Sequence, residues 1–245
     1  MKKSDAAWII SFIYIAYLFI GQIPILKNNS IFSSLTVSIL LIIVYFISSF
    51  SIMGKKNSAF FFIIAAVVGS LLELLSLNTG IPFGNYVYTG ELGPKIGQLP
   101  IFIPLLWASL SFYSYRAGGK FLMPILMVVL DLSFDPRYSG HLWIWISKTQ
   151  YFGDPWTNFL GWFITSVIII ALYSLISGGK DIPDVRAVIF FILFGIDNCI
   201  SDIYDKLFIP AYVSLLIFLI LGVFLLFISF RNMRSVKLKT KTISS

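Results

Sequence analysis

Long apolar stretches alternate with short polar or Gly/Pro-rich breaks along nearly the whole chain. Runs of about 15 to 23 residues occur near 6–26, 31–53, 59–77, 99–115, 119–135, 160–178, 186–201 and 209–230. A helix needs about 20 apolar residues to cross the hydrocarbon of a bilayer, so the pattern predicts an all-α, polytopic membrane bundle of about eight transmembrane helices. The fifth and seventh runs are short for a full span. The first begins after Met1-Lys2-Lys3, as a signal peptide would, but it is about a full span long and has no small-x-small cleavage site, so it reads as helix one. Residues 1–230 then form a single transmembrane domain. The stretch 231–245 is a basic, polar tail, read as disordered near the lipid headgroups. No internal repeat is visible.

Composition agrees with lipid as the solvent: 58% of residues are hydrophobic, 12% are charged and the mean hydropathy is +0.91. The net charge of +7 does not indicate a nucleic-acid partner, because the Lys and Arg residues sit between apolar runs rather than on one face. They read as topology signals. With alternating helices, one side carries Lys2, Lys3, Lys55, Lys56, Arg116, Lys120, Lys180, Arg186, Arg231, Arg234, Lys237, Lys239 and Lys241, which is 13 of 18 basic residues. The positive-inside rule makes that side, with both termini, cytoplasmic in a cell-membrane protein. The non-cytoplasmic loops at 78–98 and 136–159 are then the long ones, rich in Gly, Pro, Trp and Tyr, and long structured loops are commonly functional. Trp and Tyr also gather at membrane interfaces whatever a protein does.

Ionisable groups inside apolar runs are costly in hydrocarbon unless they face a polar cavity. Glu73, Asp131, Asp135 and Asp197 qualify, and the proposed topology brings all four to the non-cytoplasmic end of the bundle, beneath the aromatic loops. Asp131 and Asp135 are four apart, on one helix face, and Pro136 predicts that the helix ends at Asp135. Two carboxyls so close favour keeping a proton on one of them, which suits acid catalysis; Asp135 also reads as a simple turn cap. Asp197, Ser201 and Asp205 share a face, with Asp202 and Asp205 read as a solvated helix end. Glu91 and Asp154 read as solvated loop residues. His141 is the only histidine and Cys199 the only cysteine, so a His- or Cys-based metal site and an intrachain disulfide are out of reach. No GxSxG, phosphate loop or nicotinamide fingerprint is present.

The segment Glu73 … Thr79-Gly80-Ile81-Pro82-Phe83-Gly84-Asn85-Tyr86-Val87-Tyr88, then Leu92-Gly93-Pro94, Pro104 … Trp107, Asp131 … Asp135-Pro136, Trp143-Ile144-Trp145 and Tyr151-Phe152-Gly153-Asp154-Pro155 … Asn158-Phe159-Leu160-Gly161-Trp162, resembles the CruF-type membrane carotenoid hydratase family. That family takes in the bisanhydrobacterioruberin hydratases of the C50 carotenoid pathway. The resemblance covers roughly 73–162. It departs at Ser76, where a Gly is expected, and at Asp154, where an uncharged residue is more usual.

The resemblance implies addition of water to a terminal isopropylidene double bond of an acyclic C40 or C50 carotenoid, giving a tertiary alcohol with no cofactor and no metal. Such hydration needs a general acid, stabilisation of a tertiary cation and a positioned water. Asp131 suits the acid and Glu73 or Asp135 the water partner, with Asp197 a further candidate. Tyr86, Tyr88, Trp107, Trp143, Trp145 and Asn158 suit the substrate tunnel. The expected partners are the hydrophobic carotenoid and membrane lipid, with no nucleic acid; oligomeric state is not legible. Two other readings of the residues are an aspartate-rich Mg-dependent prenyltransferase and a proton-coupled transporter. Few cations flank the acids to hold a diphosphate, and neither a repeat nor a line of acids marks a transport path.

Overall fold

The computed structural model describes residues 2–26, 29–177 and 183–243, with side chains described as far as Arg231. Lys27, Lys180 and the side chains of Arg234, Lys237, Lys239 and Lys241, which enter the charge count, lie outside them. Seven helices among the described residues are long and apolar enough to cross a membrane. They are α1 (Lys3–Gly21), α2 (Ser34–Met53), α3 (Lys55–Thr79), α4 (Phe102–Tyr138), α5 (Trp156–Ser177), α6 (Val185–Tyr204) and α7 (Phe208–Ile243). The short strands β1 (Tyr86–Tyr88), β2 (Lys95–Ile96), β3 (Leu99–Pro100) and β4 (Trp143–Trp145) form two small antiparallel ribbons, β1 with β4 and β2 with β3.

Seven helices stand where eight apolar runs are expected because α4 contains two of them. Gly119 inside α4 has φ 66° and ψ −172°, a conformation that lacks a Cβ penalty only for glycine. A straight 37-residue helix would be about 55 Å long. Here Ile103 and Trp107 from one end line the same cavity as Asp135 and Tyr138 from the other. A Cβ on Gly118 would lie 2.7 Å from the Leu126 side chain, which is eight residues further on. The chain therefore doubles back at Gly119 with no intervening loop, and α4 is a helical hairpin.

Burial follows from this arrangement. In α4 and α6, 61% of the most apolar window is buried, against 28–39% in the other five. The hairpin and α6 form the centre, and α1, α2, α3, α5 and α7 surround them, turning side chains such as Ile13, Leu71, Leu160 and Val223 outward. Exposed aliphatic faces of this kind are what a bilayer solvates. At the end of the bundle opposite the carboxyl groups, Arg186 pairs with Asp5 and Asp184 at 2.9 Å each, and Arg116 approaches Asp184 at 4.0 Å. This ties the start of α1, the turn of α4 and the start of α6 to one face.

Three local expectations change. The second half of α4 continues past Pro136 to Tyr138. Proline removes the N–H that Leu132 C=O would accept, and the Tyr151 hydroxyl donates to that carbonyl instead, at 3.3 Å. The seventh run is a full 20-residue helix, α6, begun by Asp184, whose side chain accepts from Arg186 N. The segment after Arg231, read as disordered, continues α7 to Ile243; it contains no Gly or Pro to stop a helix already nucleated by an apolar span.

Candidate active site

Glu73 lies in the penultimate turn of α3 and is 7% exposed. It accepts from three donors: Trp107 Nε1 at 2.9 Å, the Tyr88 hydroxyl at 2.9 Å and the Tyr86 hydroxyl. Trp107 reaches it because Gly69, one turn earlier on the same face of α3, leaves room for the indole; a Cβ there would sit 2.6 Å from Trp107 Cγ. Below Glu73, the Ser76 hydroxyl accepts from Phe83 N at 3.0 Å and donates to Gly84 O at 2.9 Å. Ser76, the residue that departs from the family pattern, thus pins the turn that launches β1. Burial first, and then the neighbouring Glu73, push the Tyr86 and Tyr88 phenols well above their ordinary range. Both therefore stay protonated donors.

Asp131 and Asp135 occupy successive turns at the end of α4, and their carboxyl groups interact directly. One amide joins them: Asn158 Nδ2 of α5 donates to Asp131 Oδ2 at 2.8 Å and to Asp135 Oδ2. Asp135 and Asn158 are on the wall of a cavity of about 220 Å³ that Glu73 also lines. Asp131 is fully buried and stands behind Asp135, off that wall.

The two long loops meet over these groups. Tyr86 pairs with Trp145, Val87 with Ile144 and Tyr88 with Trp143 in the β1–β4 ribbon. Side chains alternate along a strand, so all four aromatics share the face that lines the cavity, while Val87 and Ile144, 45% and 49% exposed, face away. The Tyr86 and Trp145 rings lie 4.9 Å apart and those of Tyr88 and Trp143 6.3 Å apart. Trp107, Phe83 and Trp162 extend the aromatic wall, with the Trp107 and Trp162 centroids 4.6 Å apart. The alternation Tyr-Val-Tyr and Trp-Ile-Trp is a period-two signal for this ribbon inside two segments that hydropathy alone marks as loops.

Asp197 lines the same cavity from α6, next to Gln22 at the end of α1. Gln22 Nε2 donates to Asp197 Oδ1 at 2.8 Å and to Ser201 Oγ at 2.7 Å. The sequence signal for Gln22 is slight, an amide near the end of an apolar run. Asp202, expected at a solvated helix end, is buried and accepts from Ser133 Oγ at 2.8 Å, because α6 packs that face against α4. Asp205 is exposed and holds Arg137 at 3.1 Å. Glu91 and His141 are exposed loop residues, as expected. Asp154, expected in solvent, is fully buried and accepts from Trp145 Nε1 at 2.8 Å.

Fold and site together describe a multi-pass membrane protein with two kinds of carboxyl site on one aromatic cavity. The chain belongs to the carotenoid biosynthesis protein family, whose profile matches residues 32–226. It is similar to the bisanhydrobacterioruberin hydratase of Haloarcula japonica, with 28% identity over an alignment 145 residues long that covers 53% of this chain and 48% of the relative. The chain thus matches about half the length of that protein. No solved structure matches it. The resemblance read from residues 73–162 is borne out at the level of the family.

Proposed function

We propose that this protein adds water to a terminal isopropylidene double bond of an acyclic carotenoid, using its own carboxyl groups. The observation that carries the proposal is the unlike environment of two carboxyl sites facing one aromatic cavity. Glu73 receives three donors, as a carboxylate does. Asp131 and Asp135 touch each other and share the single Asn158 amide, an arrangement that favours one proton held between them. Unlike environments of this kind divide acid and anion roles between carboxyls.

In this mechanism Asp135, which lines the cavity, takes the acid role expected of Asp131 and transfers the proton to the less substituted alkene carbon, with Asp131 behind it. The π bond breaks, a C–H bond forms and a tertiary cation remains. The anionic Glu73 and the ring faces of Tyr86, Tyr88, Trp143 and Trp145 favour that cation, each ring by about 0.5–2 kcal/mol. Water attacks the cation, and the proton it sheds returns to Asp135, so acid and base cancel over one turnover.

Expression in a host that accumulates an acyclic carotenoid, with pigments analysed by mass spectrometry, tests the reading. The expected product gains about 18 mass units per hydrated end, and Asp135→Asn, which cannot donate a proton to carbon, loses it while still inserting. Unchanged pigment beside inserted wild-type protein overturns the proposal. Counting each half of α4 as one crossing gives eight crossings, with both termini in the cytoplasm and the β1–β4 ribbon outside. A reporter active only in cytoplasm is then active after Arg234 and silent at Gly90; the reverse pattern refutes this orientation.

A further inference from the structure

One buried carboxyl beside the site takes no part in the proposed mechanism. Asp154 is fully buried, though it lies in the loop between α4 and α5. A tight turn fixes it: Tyr151 N donates to Asp154 O at 2.9 Å and Asp154 N to Tyr151 O at 2.8 Å. The turn is itself fastened to the end of α4, through the Tyr151 hydroxyl on Leu132 O and through Ser139 Oγ on Gly153 O, both at 3.3 Å. Asp154 Oδ1 is engaged by Trp145, whereas Oδ2 is buried with no partner. Asp131 Oδ1 is buried and without a partner as well. The turn that carries Asp154 is thus fastened to α4 at Leu132, next to Asp131, and at Ser139, one turn after Asp135, and in a buried site little screens a charge there from the pair. Two unpaired acceptor oxygens in one buried acidic group are costly unless protons are held among them.

We propose that Asp154 is a positioning residue that keeps a proton on the Asp131–Asp135 pair and so sets the alkaline limit of hydration, an inference that rests on the hydration reading above. The groups facing Asp154 are Asp131 and Asp135 from α4, Ser139 at the end of that helix, Trp145 from β4 and Tyr151 from its own turn, and the pair also faces Glu73 of α3 and Tyr88 of β1; none is cationic. Burial pushes the Asp154 carboxyl up to about 7, against the opposing hydrogen bond of Trp145. Its charge thus develops near neutrality, where a second negative charge on the pair is disfavoured. Coupled carboxyls titrate as a group, so removing one member shifts the titration of the rest.

The test is the pH dependence of turnover by purified protein in lipid nanodiscs, with an acyclic C40 carotenoid bearing isopropylidene ends as the probe. Asp154→Asn moves the alkaline limb to lower pH by about one unit and leaves turnover on the acid side close to wild type. Asp154→Glu restores the limb. Asp154→Ser removes the charge by a second route and gives the same shift should the Asn variant not accumulate. Trp145→Phe keeps the carboxyl and removes a bond that favours its charged form, so its alkaline limb moves less than that of Asp154→Asn, whatever its rate. If Asp154 only anchors the indole, Asp154→Asn and Trp145→Phe lower turnover alike at every pH, and the proposal fails. A wild-type protein that makes no hydrated product overturns the hydration reading and this inference with it, whereas an active wild type with an unshifted Asn variant overturns this inference alone.

Discussion

Trp107 donates its indole N–H to Glu73 across 2.9 Å, from a helix that can approach α3 only because residue 69 is glycine. The donor comes from α4, whereas the acceptor and the space for the ring both come from α3. Gly69 and Glu73 are four apart and share a face of α3, so the packing of Trp107 and the orientation of the carboxylate depend on one another.

Gly69→Ala therefore tests the site through its packing. The added Cβ would lie 2.6 Å from Trp107 Cγ, and displacing the ring costs about 1–3 kcal/mol of stability. Displacement also frees one oxygen of Glu73, and hydration falls by about tenfold or more. Trp107→Phe is the comparison, because it removes the donor with less disturbance of the packing. Thermal unfolding in detergent, read beside product formation, checks both effects. A Gly69→Ala protein with wild-type stability and turnover would show that the close approach is not needed.

The end of α4 offers a test by double-mutant cycle. Tyr151→Phe leaves Leu132 C=O without the donor that replaces the N–H missing at Pro136, and costs about 1 kcal/mol. In a Pro136→Ala background the restored N–H reaches the same carbonyl, and the cost of Tyr151→Phe falls toward zero. Unfolding of the four proteins in mixed micelles gives the coupling. Equal costs in both backgrounds would mean that the hydroxyl does not compensate for the proline.

The two ribbon tryptophans separate anchoring from catalysis. Trp145 Nε1 is bonded to Asp154, whereas Trp143 Nε1 is buried without a partner. Trp145→Phe is expected to cost about 1–3 kcal/mol, the range for leaving a buried acceptor without its partner; Trp143→Phe is expected to be close to neutral. If both rings face the developing cation, turnover per folded enzyme declines from wild type to Phe to Leu at each position, with binding less affected, since the ground-state alkene carries no charge. Equal turnover per folded molecule in all variants would leave both rings as interfacial anchors.

The sequence by itself determined the solvent of this protein and the kind of chemistry it holds. Apolar run length is a one-dimensional property, so helices across a bilayer were legible without any contact, as was the exceptional cost of placing Glu73, Asp131, Asp135 and Asp197 within such runs. The spacing of four between Asp131 and Asp135 likewise determined that they would meet, because the helix period is local. Whether two adjacent apolar runs are joined by a loop or folded back at one residue is not local. It depends on the φ of Gly119 and on Leu126 packing against Gly118.

Only the tertiary structure decided which acids face the cavity. Asp135 is on its wall and Asp131 behind it; Asp154 and Asp202, polar positions next to breaks in the pattern, are buried by packing against α4. Hydropathy records the average preference of a residue for water, whereas the burial of a loop carboxyl depends on what the chain brings over it. Here that cover is made by residues far apart in sequence: β1 and β4 meet across more than fifty residues to place two tyrosines and two tryptophans on one face, and Asn158 crosses from α5 to join two aspartates of α4. Pairings of that range cost loop entropy and are repaid only by the finished contacts, so no short window of sequence contains them.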